Sequence, residues 1–179
     1  MNSHYTRTAI SLHWLVALGI LLAFPLGIYM HDLPLSPTKL RLFSYHKWLG
    51  ITILILAIVR VLWRASHQPP AMPYKMPKWQ QRASESVHVA LYVLILAIPL
   101  SGWLMSSAKG FQTVWFGVLP LPDLLAKNIP LGDRLKELHE ALNYLMLLLL
   151  LTHIGAALKH HFIERDGILL RMMPRFKKG

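Results

Sequence analysis

The sequence contains no cysteine among its 179 residues. This absence excludes a disulfide framework, a thiolate-bound iron–sulfur cluster and any prosthetic group attached covalently through cysteine. Acidic residues are also scarce, because 8 Asp and Glu residues stand against 19 Lys and Arg residues. Apolar residues are abundant instead: 54% of the chain is hydrophobic and the mean hydropathy is +0.41. This composition favours a membrane protein over a soluble domain.

Long apolar runs account for the high hydropathy. Leu12–Met30, Val87–Ala108 and Ala141–Leu158 carry no formal charge apart from histidine, and each approaches the ~20 residues that cross a bilayer. A fourth run, Trp48–Val59, is apolar up to Arg60. We therefore predict an all-α membrane protein, a four-transmembrane-helix bundle that forms one integral-membrane domain over residues 1–179. The predicted spans lie at about residues 10–30, 44–64, 86–107 and 137–160.

Basic residues are distributed unevenly between the two sides of this bundle. Seven lie on one side: Lys39, Arg41, Lys47, Lys109, Lys127, Arg134 and Lys136. Twelve lie on the other: Arg7, Arg60, Arg64, Lys75, Lys78, Arg82, Lys159, Arg165, Arg171, Arg175, Lys177 and Lys178. Because cytoplasmic loops carry the excess of Lys and Arg, both termini are predicted to be cytoplasmic, in a bacterial inner membrane. The net charge of +11 therefore reflects membrane topology and does not indicate nucleic-acid binding.

Histidines recur at two depths of the predicted spans. His139 and His153 are fourteen residues apart, so they share a helix face and are separated by roughly 21 Å along its axis. One of them therefore lies near each boundary of a hydrocarbon core about 30 Å thick. Because successive spans run in opposite directions, His46 falls at the outer level with His139. His13 and His88 fall at the inner level with His153, one imidazole more than a two-ligand site needs.

Imidazoles paired by depth predict two stacked haem sites, each with two axial histidines. Ionisable groups at membrane depth are costly and usually functional, and two imidazoles satisfy a low-spin haem iron. A zinc site would more often recruit thiolate or carboxylate, and a single interfacial histidine is more often a polar tip or a helix cap. Gly50, one turn after His46, leaves room for a flat macrocycle. Arg60 is fourteen residues after His46, where it would bind a haem propionate or a lipid phosphate.

Several segments of the chain match a known family. They are Ser11–Val16, the region around His46, Arg60–Arg64, Ala97–Pro99, Leu135–Glu140, Lys159–His161 and Leu169–Arg175. Through them the chain resembles the bacterial cytochrome b561 family over nearly its whole length, most closely the members that oxidise superoxide. In that family, and in the similar cytochrome subunits of formate dehydrogenases and hydrogenases, the first and fourth helices hold one haem b. The second and fourth helices hold the other.

The resemblance implies which histidines ligate the iron atoms. His13 and His153 would hold the inner haem, and His46 and His139 the outer one. His88 is then left without iron.

The resemblance also implies a function, namely that superoxide is oxidised to oxygen at the outer face and its electron passes to ubiquinone. The basic residues Lys39, Arg41, Arg134 and Lys136 would then steer a small anion towards the outer haem, although such a rim would equally suit lipid phosphates.

The quinone site is less sharply indicated. Ser11 and His160 lie towards the cytoplasmic side of the inner histidines, and both could bind a quinone carbonyl. His88 could join them or bind a propionate, and His160 could instead cap the fourth helix. No protein partner is required.

Two rival functions remain open at this point. One is a cytochrome b anchor subunit that relays electrons between quinone and a partner dehydrogenase. The other is a small transporter with a histidine site that holds no haem.

Overall fold

A computed structural model describes residues 5–70 and 76–174 as an antiparallel bundle of four long helices. The helices are α1 (Arg7–His31), α2 (Pro37–Ser66), α3 (Lys78–Ala108) and α4 (Ile129–Lys159). All four are long and apolar enough to cross a membrane. The predicted fold class is therefore confirmed.

The helices extend beyond the apolar runs from which the spans were predicted. α2 begins at Pro37 rather than near residue 44, with Ser36 as its N-cap. α4 begins at Ile129 rather than near residue 137, with Asn128 as its N-cap. Each cap side chain accepts a hydrogen bond from a backbone N–H three residues later. Hydropathy predicts the apolar part of a helix that crosses the membrane, and these polar first turns lie outside the predicted spans.

Helix packing follows chain order, with α1 against α2, α2 against α3, and α3 against α4. A buried cluster halfway along the bundle joins all four helices through Val16, Ala57, Leu94, Ile95 and Met146. Within the described ranges, α4 approaches α1 and α2 at most at isolated backbone positions. A seam is therefore left between α4 on one side and α1 and α2 on the other.

The outer connection between α3 and α4 is folded rather than free. It contains a two-stranded antiparallel hairpin, β1 (Val114–Trp115) and β2 (Leu119–Pro120), which an all-α prediction did not include. Trp48 Nε1 donates to the carbonyl of Val114 at 2.7 Å, and Trp115 Nε1 donates to Thr52 Oγ1 at 3.3 Å. These bonds fix the hairpin to the outer half of α2.

The described ends of the chain meet at the opposite, inner end of the bundle. After α4, a π-helical turn (His160–Glu164) and a 3₁₀ turn (Leu169–Arg171) bring the chain back towards α1. There Trp14 Nε1 donates to the carbonyl of Met172 at 2.8 Å. Both ends therefore lie on one side, as an even number of spans requires. Lys75, Arg175, Lys177 and Lys178, which were counted for the inner side, lie outside the described residues.

Candidate functional site

The outer level of the bundle brings His46 of α2 and His139 of α4 together. Their ring centres are 6.3 Å apart and their ring planes are inclined by 86°. The Nδ1–H of His139 is shared between the carbonyl of Ile98 and Ser101 Oγ, both at 3.0 Å. A hydrogen held on Nδ1 leaves the lone pair on Nε2, so the tautomer of His139 is the one that binds a metal through Nε2.

Two glycines on other helices lie against these outer rings. A Cβ added at Gly27 of α1 would come within 3.2 Å of His46 Cε1, and one at Gly102 of α3 within 3.1 Å of His139 Cε1. Both distances are shorter than ordinary carbon contacts. Within the described residues, His46 Nδ1 is buried without a hydrogen-bond partner. The backbones of α1 and α3 therefore pack closely against the outer imidazole rings.

The inner level gathers three imidazoles, as predicted, but at unequal distances. The ring centres of His13 and His153 are 6.3 Å apart, and those of His88 and His153 are 5.2 Å apart. Two imidazoles that hold one metal ion between them have their ring centres roughly 6.3 Å apart. Each nitrogen lies about 2.0 Å from the metal, and each ring centre lies just over 1 Å beyond its nitrogen. The His13–His153 and His46–His139 pairs both match this separation, whereas His88 lies about 1 Å too close to His153.

Arg60 of α2 lies beside the inner pair. Its Nη1 is 2.8 Å from His13 Nδ1, its Nε donates to the Tyr92 hydroxyl at 3.3 Å, and its guanidinium carbon is 5.2 Å from the centre of the Tyr92 ring. Because a guanidinium only donates hydrogen bonds, this contact requires the tautomer of His13 that carries its hydrogen on Nε2, so Arg60 has to move away from Nδ1 before Nε2 can bind a metal. Arg60 therefore places a positive charge directly against a candidate ligand of the inner haem.

Two glycines near the histidine pairs leave their surroundings uncrowded. A Cβ added at Gly50 of α2 or at Gly155 of α4 would meet no atom within 4 Å. Both glycines lie on helices that border the seam, one near each candidate pair. The matching ring separations of the two histidine pairs fit two haems.

Comparisons with known proteins show the family to which this chain belongs. The profile described as prokaryotic cytochrome b561 matches residues 4–175. The chain belongs to the prokaryotic cytochrome b561 family. It is 31% identical over 178 residues to "Cytochrome b561 homolog 1" of Escherichia coli strain K12, covering 98% of this chain and 99% of that protein. It is 32% identical over 190 residues to "Probable superoxide oxidase CybB" of Yersinia pestis, covering 100% of both.

A second Escherichia coli relative, "Cytochrome b561 homolog 2", is 34% identical over 172 residues, or 96% of this chain and 92% of that protein. Membership of the cytochrome b561 family means transmembrane electron transfer with haem b as the prosthetic group. The protein is accordingly a multi-pass bacterial membrane protein.

The basic residues predicted to steer an anion at the outer face differ in their partners. Lys39 Nζ donates to the carbonyls of His31 and Leu33, where it caps the C-terminal end of α1. Lys136 forms an ion pair with Glu140 at 3.4 Å. Arg41 and Arg134 are exposed, and no ion pair or hydrogen bond joins their side chains to the rest of the described chain. The two arginines are therefore the residues available to a dissolved anion.

The candidate quinone residues are not all brought together. His160 Nδ1 lies 2.6 Å from both Glu164 Oε2 and Asp166 Oδ2, so it is anchored in the turn after α4. His88 contacts the inner pair and approaches Ser84 Oγ at 3.5 Å. Ser11 is exposed and shares no hydrogen bond with His160 or His88 anywhere in residues 5–70 and 76–174.

Two tyrosines near the inner level escaped the sequence prediction. Tyr92 supports Arg60, and Tyr5 interacts electrostatically with Arg64 and Tyr92. Burial raises the pKa of the Tyr5 phenol above its usual range, and the positive charge of Arg64 opposes this shift only in part. Tyr5 therefore stays protonated and can donate a hydrogen bond. The sequence spacing of these tyrosines follows no pattern, so only their contacts with residues of other helices reveal them.

Proposed function

We propose that this cytochrome b561 oxidises superoxide at the outer face of the bacterial inner membrane and reduces ubiquinone at the inner face. Two b-type haems would be held in the bundle, the outer one by His46 and His139 and the inner one by His13 and His153. When bound, the haems supply reversible one-electron chemistry of iron. The protein is then a superoxide:quinone oxidoreductase that needs no protein partner.

The observation that carries this proposal is the equal ring separation of 6.3 Å in both histidine pairs. Two sites of matching geometry on one helix, fourteen residues apart, suit a relay across a hydrocarbon core. The probable superoxide oxidase among the relatives adds support for superoxide as the donor.

The protein residues serve mainly to hold and orient the histidines that would bind the haems. Ile98 and Ser101 fix the His139 ring through its Nδ1–H, while Gly27 and Gly102 allow α1 and α3 to pack against the outer rings. Arg41 and Arg134 raise the local concentration of a small anion. Two superoxide anions lose one electron each and leave as oxygen, and ubiquinone takes up both electrons with two protons from the cytoplasmic side.

The decisive experiment mixes superoxide with purified, quinone-depleted protein in a stopped-flow instrument. We expect rapid reduction in the wild type and none in His139→Ala, which should lose the outer haem and keep the inner one. His153→Ala should show the reverse haem loss and serves as the matched variant on the same helix. If ubiquinol reduces the wild type but superoxide does not, the anchor-subunit function is favoured. A haem content of less than two per chain in the wild type contradicts the ligand assignment.

A further inference from the structure

Three metal-ligating side chains converge in the turn that follows α4, seven residues beyond His153. Nδ1 of His160 lies 2.6 Å from Oε2 of Glu164 and 2.6 Å from Oδ2 of Asp166. The three donor atoms all lie within 4.8 Å of one another. Imidazole nitrogen and carboxylate oxygen are both ligands of divalent transition metals.

We propose that His160, Glu164 and Asp166 form a binding site for one divalent transition-metal ion at the inner end of the bundle. The site is separate from the histidine pairs and does not depend on the proposed haem ligands. The local backbone brings its members together. Glu164 follows His160 by four residues within the π-helical turn, and Arg165, with φ of 53°, reverses the chain so that Asp166 returns to the same imidazole.

Both carboxylates are oriented by contacts with groups outside the cluster. Oε1 of Glu164 accepts a hydrogen bond from Lys159 Nζ at 2.7 Å. Oδ1 of Asp166 accepts one from the backbone N–H of Ile168 at 3.0 Å. Each carboxylate therefore keeps its second oxygen directed at His160 Nδ1. Partners that orient the ligands without touching the ion are a regular feature of metal sites.

A divalent cation suits this cluster in charge and in size. A single Nδ1–H would have to be shared between two carboxylates, whereas a metal ion bonds to all three donor atoms at once and balances both negative charges. The side chains of His160, Glu164 and Asp166 are only 16%, 30% and 21% exposed, so their charges are partly shielded from water. Donor atoms about 2.0–2.2 Å from a tetrahedral zinc ion are roughly 3.3 Å apart. The side chains would therefore open by well under an ångström.

The donor set selects the class of metal. One imidazole and two carboxylates leave an open position for water, as in many zinc sites with three protein ligands. The imidazole favours first-row transition metals over Mg²⁺ and Ca²⁺, which take oxygen ligands. The chain has no cysteine, so a soft thiolate site for Cu(I) is excluded.

Equilibrium dialysis of the full-length, haem-loaded protein against Zn²⁺, after removal of any affinity tag, tests the proposal. We expect one zinc ion per chain, retained in excess Mg²⁺. Loss of an orienting partner alone costs about 10- to 100-fold in metal affinity. Loss of a ligating carboxylate in Glu164→Gln or Asp166→Asn should therefore weaken binding by at least about tenfold. Asp32→Asn is the matched control, because Asp32 Oδ1 lies 2.9 Å from His31 Nδ1 at the outer end of the bundle.

X-ray absorption at the zinc edge identifies the ligands in the unaltered protein, even if a carboxylate variant fails to fold. One imidazole together with oxygen ligands at about 2.0–2.2 Å would support the proposal. Two or more imidazoles would place the ion elsewhere and overturn it. Absence of bound zinc, its displacement by Mg²⁺, unchanged binding in both carboxylate variants or equal loss in Asp32→Asn would also overturn it. The three side chains would then form an ion-pair cluster only.

Discussion

Replacement of Gly102 by alanine tests the outer site through its tightest contact. The new Cβ would lie 3.1 Å from Cε1, 3.4 Å from Nδ1 and 3.8 Å from Nε2 of His139. The ring must therefore give way by a few tenths of an ångström. The bonds from His139 Nδ1 to Ile98 and Ser101 resist this movement, so the strain falls on the position of Nε2.

Overpacking of this kind costs about 1–3 kcal/mol. If the whole cost appears as weaker binding of the outer haem by His139, Gly102→Ala should weaken retention of that haem by about 5- to 150-fold. Gly27→Ala on the opposite ring should act in the same direction, because its Cβ would lie 3.2 Å from His46 Cε1. Haem content by pyridine haemochromogen, measured during dilution into haem-free buffer, gives the loss for each variant.

Gly19→Ala is the control for a general packing defect. Its Cβ would come within 2.8 Å of Ile53 Cγ1, between the two histidine levels. It should lower the thermal unfolding temperature and affect both haems alike. Gly102→Ala should affect only the outer one. Equal loss of both haems in Gly102→Ala, or an outer haem that keeps its wild-type affinity, would refute the reasoning.

Three further outcomes are expected. His88→Gln should retain two haems with wild-type spectra, because His88 lies too close to His153 for an iron between them; loss of the inner haem would contradict this. Joint replacement of Arg41 and Arg134 by Gln should lower the rate of haem reduction by superoxide by about two- to tenfold at low ionic strength and flatten its salt dependence. An unchanged salt dependence would indicate that the two arginines bind lipid phosphates instead. A reporter fused after residue 179 should be active only in the cytoplasm, and periplasmic activity would reverse the assigned orientation.

Features encoded along single helices were predictable from the sequence. The apolar runs and the fourteen-residue spacing between His139 and His153 depend only on helix geometry, and the fold class they predicted is confirmed. The depth pairing of His13, His46 and His88 with these two histidines required only that spans alternate in direction. The structure brings the same groups together.

Features that depend on contacts between helices were not predictable in the same way. Gly27 and Gly102 belong to helices that supply no candidate ligand at the outer level, so nothing in their local sequence marks them. The acceptor for His139 is a backbone carbonyl, which every residue possesses. The contact between Arg60 and His13 depends on how α1 and α2 pack. Lys39 was predicted to steer a small anion, and its bond to the end of α1 depends on how the chain turns between α1 and α2.

The seam between α4 and the pair α1 and α2 has a consequence for how the protein is made. Each proposed ligand pair needs one histidine from α4, and α4 is the last of the four helices in chain order. A nascent chain that has inserted only its first three helices therefore contains no complete haem site. Reactive iron would be taken up only when synthesis of the bundle is nearly finished. The two haems would then join α4 to helices whose backbones it scarcely approaches.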